Sequence, residues 1–244
     1  MIKIKTFSRA LKALGFAAVE LDAVAGTAAS CNDDEVGFSP SSIIYQDYLA
    51  QVTTSGCDTQ NPEVTVSAYA ALRNTNASGT ILPLAKGSSL TANTIDMLNI
   101  ADNNYNYGTV LPKGSVSARF IFKKSDVQTY TNRIEFKDCP EMQLENTGGK
   151  IVNGKEYTIT GADLMDSQQT VQIVLYTTTG ETQYPAMMLS GSNSFRFVNV
   201  PAGTYQLSAS VTVEQRLQEA DNNAGGKIAV SRVYLYSNPV TVEE

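Results

Sequence analysis

Beyond residue 61 apolar and polar side chains alternate with a period of two, the pattern of strands with one buried face. Val64, Val66 and Ala68 alternate with Thr65 and Ser67. Val116, Ala118, Phe120 and Phe122 alternate with Ser117, Arg119 and Ile121 before Lys123-Lys124 ends the run, and Ile134 and Phe136 close this block ahead of Cys139-Pro140. A short apolar run over 81–84 follows turn-forming residues at 74–79. After Pro140 the pattern predicts strands over 141–145, 155–160, 170–177, 194–198, 203–213, 228–236 and 239–242. Gly148-Gly149, Asn153-Gly154, Thr179-Gly180, Ser190-Gly191 and residues 222–226 supply the turns between them. Upstream, Ile43, Ile44, Tyr45, Tyr48 and Leu49 predict a short helix or a first strand inside a tether.

Short strands at this spacing imply an all-β fold. We expect two Ig-like β-sandwich modules, 61–139 and 140–244, after a leader over 1–30 and a tether over 31–60. The blocks share a layout but no sequence repeat. The stretch from Phe195 to Leu207 (Phe-Arg-Phe-Val-Asn-Val-Pro-Ala-Gly-Thr-Tyr-Gln-Leu) resembles a hairpin signature of transthyretin-like and carboxypeptidase-regulatory-like β-sandwiches. That resemblance implies Phe195 and Phe197 on one face, a turn set by Pro201 and Gly203, and a return to the core at Tyr205 and Leu207. It bears on fold and scarcely on function. In such families these modules are adhesive, spacer or accessory domains.

The N-terminus carries a different signal. Lys3, Lys5, Arg9 and Lys12 precede an Ala-rich stretch that ends Ala28-Ala29-Ser30-Cys31. A basic start, an apolar middle and small residues before a cleavage point make a secretory leader. Small residues ahead of a Cys resemble the bacterial lipobox, and Asn32-Asp33-Asp34-Glu35 resembles the acidic tag of Bacteroidetes surface lipoproteins. The resemblance implies a lipid on Cys31, a mature N-terminus there, and an outer-membrane location facing the cell surface. Glu20 and Asp22 interrupt the apolar stretch, which leaves open an amphipathic N-terminal helix with Cys31 as an ordinary thiol. Cleavage before Cys31 would remove four basic and two acidic groups, so a net charge of −6 becomes −8.

That acidic balance argues against nucleic acid as a partner, because phosphate binding needs clustered Lys and Arg. The chain has no His and no Trp. It therefore lacks the commonest proton-transfer side chain and metal ligand, and the favoured stacking platform for sugars. No catalytic arrangement is visible, and no cofactor or metal is expected. Residues 102–108 and 221–226 resemble EF-type calcium loops at their first positions. Lys113 and Arg232 occupy the twelfth, where a bidentate Glu is needed, so both read as polar turns.

Two candidate features remain. Cys57 and Cys139 bracket the first module and form either a disulfide or two buried thiols. Tyr105 and Tyr107, among Asn104 and Asn106, offer flat faces and paired donors and acceptors, the chemistry of a glycan contact, or else a plain strand connection. The function expected is a non-catalytic binding, adhesion or assembly lipoprotein, held to the membrane by its lipid anchor. Its partner would be an envelope protein, a host glycoprotein or a polysaccharide. Two alternatives come from other classes. Alternating strands such as 170–177 and 203–213 also suit the inserting hairpin of a β-rich pore-forming toxin, and unassigned carboxylates could serve a glycosidase.

Overall fold

The computed structural model describes residues 38–39, 41–100, 104–164, 166–189, 191–221 and 224–243. The leader, Cys31 and the acidic tag lie outside the described residues. The period-two segments form strands and the architecture is all-β. Among the described residues there is no α-helix, and no helix is long and apolar enough to cross a membrane.

The strands of the first half are β1 (Ile44–Ser55), β2 (Glu63–Asn74), β3 (Ser89–Ala92), β4 (Ile95–Asp96), β5 (Leu98–Asn99), β6 (Tyr107–Leu111), β7 (Ser117–Lys123) and β8 (Thr129–Glu135). A 3-10 turn at Phe136–Asp138 leads into β9 (Gln143–Leu144), β10 (Lys150–Val152), β11 (Tyr157–Thr160), β12 (Gln169–Thr177), β13 (Gln183–Pro185), β14 (Met187–Met188), β15 (Ser194–Arg196), β16 (Gly203–Arg216), β17 (Gly226–Leu235) and β18 (Val240–Glu243).

The expected tether is instead a central strand. β1 is twelve residues long and lies between β2, antiparallel, and β17, parallel. Gly226 opens the parallel pair at a close approach, where a Cβ would fall 2.3 Å from the Gln46 carbonyl oxygen. This pairing also removes the expected break near residue 139. A ten-stranded sheet runs β10-β18-β16-β17-β1-β2-β6-β5, with β12 on β16 and β13 on β12, and so draws strands from both sides of that position. Two four-stranded sheets, β4-β3-β7-β8 and β14-β15-β11-β9, accompany it. One apolar cluster extends from Phe38 to Val242 and includes residues of all three sheets. Its first half centres on Tyr48, whose ring stacks on Phe120 with centroids 4.6 Å apart.

The connection at 136–141 is fixed to the large sheet. The Arg232 guanidinium donates to the carbonyls of Phe136 and Cys139 at 3.2 and 3.0 Å, and the Cys139 thiol donates to Val211 O. A planar fork on two carbonyls suits Arg and anchors this crossing.

The signature segment differs from a hairpin. Phe195, Phe197, Tyr205 and Leu207 are buried as expected, but β15 and β16 belong to different sheets. Their link is a corner from one layer to the other. The Tyr205 hydroxyl donates to Pro201 O at 2.8 Å, and the Asn153 side chain bonds both Val200 N–H and Val200 O.

Candidate functional site

Successive side chains on a strand point to opposite faces. On β1, Ile44, Tyr48 and Ala50 enter the main core, whereas Tyr45, Asp47, Leu49, Gln51 and Thr53 lie on the outer face of the ten-stranded sheet. Register carries that face across five strands. Ser67, Gln51, Ser231, Thr212 and Thr170 form one row on β2, β1, β17, β16 and β12. Thr65, Thr53, Val233, Ser210 and Gln172 form the next. The face is rich in small hydroxyl side chains.

Four of its polar groups are buried without a hydrogen-bond partner: Asp47 Oδ1, Gln51 Oε1, Ser208 Oγ and Tyr176 OH. Such groups are uncommon in a folded interior, because each costs about 1–3 kcal/mol when left unmet. Among them stand Val174, Tyr176, Val233 and Leu235, which are buried yet belong to neither apolar cluster of the described residues. Burial pushes the Asp47 carboxyl up to about 6, against the opposing pull of Lys227 and Arg73. Burial also raises the Tyr176 hydroxyl. At the corner of this face Lys227 and Glu214 make a partly exposed ion pair at 2.8 Å.

The connection before β6 covers part of the same face. Ile100 and Tyr105 pack with Leu49, Tyr69 and Ala229 as a small second cluster, with the Tyr69 and Tyr105 rings 6.0 Å apart. Arg73 donates to Asn104 O at 2.9 Å. The expected glycan contact thus divides. Asn104 and Tyr105 remain toward the surface. Tyr107 and Asn106 do not: the Tyr107 hydroxyl accepts Leu84 N–H at 2.6 Å, and the Asn106 amide bonds Leu82 O and Leu72 N–H. Both are buried, so they serve the fold.

Cys57 and Cys139 are separate free thiols. Cys57 donates to Leu235 O and Cys139 to Val211 O. Val211 stands opposite Arg232 in the β16–β17 register, three positions before Leu235, so the two acceptors lie roughly 10 Å apart along the strands. A disulfide requires Cα atoms within about 7 Å. Burial pushes the Cys57 thiol up to about 12 and the Cys139 thiol up to about 11, which suppresses the nucleophilic thiolate.

Asp221, the first residue of one EF-like stretch, is committed elsewhere. Its Oδ2 accepts from Lys124 Nζ at 2.7 Å and Ile44 N–H at 2.9 Å, and its Oδ1 from the Tyr130 hydroxyl at 2.7 Å. Three donors on the carboxylate leave little room for a cation. The other EF-like stretch begins at Asp102, outside the described residues. Among the described residues no group of three His, Cys, Asp or Glu is placed to hold a metal ion. The buried Lys124–Asp221 pair escaped the sequence reading because Lys124 follows Lys123 at a strand end and Asp221 opens a polar turn, both solvent-like patterns.

No protein-family profile matches this chain, and comparison with characterised proteins also finds no match.

Proposed function

We propose that this protein is a lipid-anchored, non-catalytic binding protein of the cell surface, and that the outer face of its ten-stranded sheet is the contact surface. One observation carries the reading. The solvent-facing part of that face carries hydroxyl and amide side chains, with Thr65, Thr170 and Gln172 exposed, Thr53 and Thr212 half-buried, and Asn104 and Tyr105 at the rim. A partner laid across these solvent-facing groups would find hydrogen-bond donors and acceptors in rows set by the strand register. Glycans, free or on a glycoprotein, supply hydroxyl donors and flat C–H faces, and Tyr105 beside Asn104 gives them an entry point at the rim. The lipoprotein part rests on the order of basic start, small residues, Cys31 and acidic tag.

Two measurements test it. On a glycan array the unmodified protein should retain at least one glycan class, and Tyr105→Ala should weaken retention about tenfold, the effect of about 1.4 kcal/mol. Failure of the unmodified protein to retain any glycan removes the glycan assignment. Mass spectrometry of protein extracted from native membranes should find an acylated Cys31 at the N-terminus. A soluble chain that begins at Met1 removes the anchor.

A further inference from the structure

Lys124 and Asp221 meet in a site closed to solvent. Their side chains are 1% and 0% exposed, and Nζ stands 2.7 Å from Oδ2. Tyr130 donates to Asp221 Oδ1 and its ring stacks on Phe122 at 6.0 Å, with Phe38 on Phe122 at 5.8 Å. The partners come from distant parts of the chain, 97 residues apart: Lys124 from the β7–β8 turn and Asp221 from the β16–β17 connection. We propose that Lys124 and Asp221 condense to an intramolecular amide, a covalent staple between the large sheet and the β7–β8 layer.

The atoms balance without a co-reactant. An ammonium and a carboxylate together hold every atom of an amide and one water. Passage of one Nζ proton along the 2.7 Å hydrogen bond to Oδ2 leaves an amine beside an acid. The Nζ lone pair then attacks Cγ and forms the N–C bond. Negative charge builds on Oδ1, where the Tyr130 hydroxyl already donates at 2.7 Å, the arrangement that stabilises a tetrahedral intermediate. Oδ2 takes a second proton from Nζ and departs as water, and Oδ1 becomes the amide carbonyl. Nζ also donates to Ser42 O at 2.5 Å, which holds it in place and gives the single remaining amide N–H an acceptor. After condensation Tyr130 still donates to Oδ1. Ile44 N–H, now on Oδ2, turns to the second lone pair of Oδ1 or keeps the released water.

The test is the intact mass of the purified full-length native protein. The condensed chain is lighter by one water than a Lys124→Arg chain from the same source once the substitution is subtracted, so that leader removal and acylation cancel, and proteolysis yields a branched peptide that joins the Lys124 and Asp221 segments. In a denaturing gel the closed loop runs ahead of the same chain with Lys124→Arg, which keeps the charge but lacks the nucleophile and shows the full mass. Tyr130→Phe, measured at equal times after refolding, shows a smaller condensed fraction. A wild-type chain that is folded by circular dichroism yet keeps its full mass overturns the proposal. Equal condensation in Tyr130→Phe overturns the role of the hydroxyl.

Discussion

The two faces of the ten-stranded sheet share one backbone and differ in almost everything else. Toward the core β1 offers Ile44, Tyr48 and Ala50 to aromatic and aliphatic partners on β7 and β17, and Tyr48 stacks on Phe120. On the other side the same strand offers Asp47, Leu49 and Gln51, with two acceptors unmet. Adjacent residues therefore serve different ends. The inner face is dominated by packing, with Gln46 Nε2 its one unmet polar atom on this strand among the described residues, while the outer face holds two, Asp47 Oδ1 and Gln51 Oε1. Stability should accordingly track the inner face, and on the function proposed above recognition belongs to the outer one.

The sharpest way to break that contrast is to empty the inner face. Phe120→Ala removes a fully buried ring and should cost about 3–5 kcal/mol in denaturant unfolding. A loss below 1 kcal/mol would mean the core is not where the strands place it. On the outer face the sign reverses for Asp47. Its carboxyl ionises near pH 4 when unfolded and near 6 when folded, so the unfolded state releases its proton first. Stability from this group is therefore intact below pH 4 and declines as pH rises to about 6. Asp47→Asn should be more stable than wild type by about 2–3 kcal/mol at pH 7 and no more stable at pH 4. An equal effect at both pH values would contradict the burial of this carboxyl. At the partly exposed corner Lys227→Ala should change stability by less than about 1 kcal/mol, and less still in high salt. The thiols give a difference of rate only. In the folded protein Cys57 and Cys139 should resist alkylation at pH 8 while the unfolded chain reacts, and a peptide linking the two in unreduced protein would refute their separation.

Much of the core was legible in the sequence, because Val66 and Ala68 on β2 and Ala118, Phe120 and Phe122 on β7 recur at every second position and all five are buried. So were the long strands after Pro140, whose flanking turns mark them out. β1 was not recognised at full length, since Gln46, Asp47 and Gln51 interrupt any apolar period although all three are buried. Its partner was hidden as well, because nothing local in a strand names a parallel neighbour far along the chain. Two-residue strands such as β4, β5 and β14 are too short to show a period. For the candidate site, Asn104 and Tyr105 were legible as polar and aromatic neighbours, whereas the inward turn of Asn106 and Tyr107 depends on Leu72, Leu82 and Leu84. The outer-face rows exist only through register, so composition alone cannot reveal them.

The parallel seam between β1 and β17 has a consequence for the newborn chain. Synthesis delivers Gln46 long before Gly226, its partner across the seam. Until then one edge of β1 lacks its neighbour, and the sheet cannot close. Closure waits for contacts of very wide sequence separation, which slow folding. The nascent protein thus stays unfinished through most of its elongation.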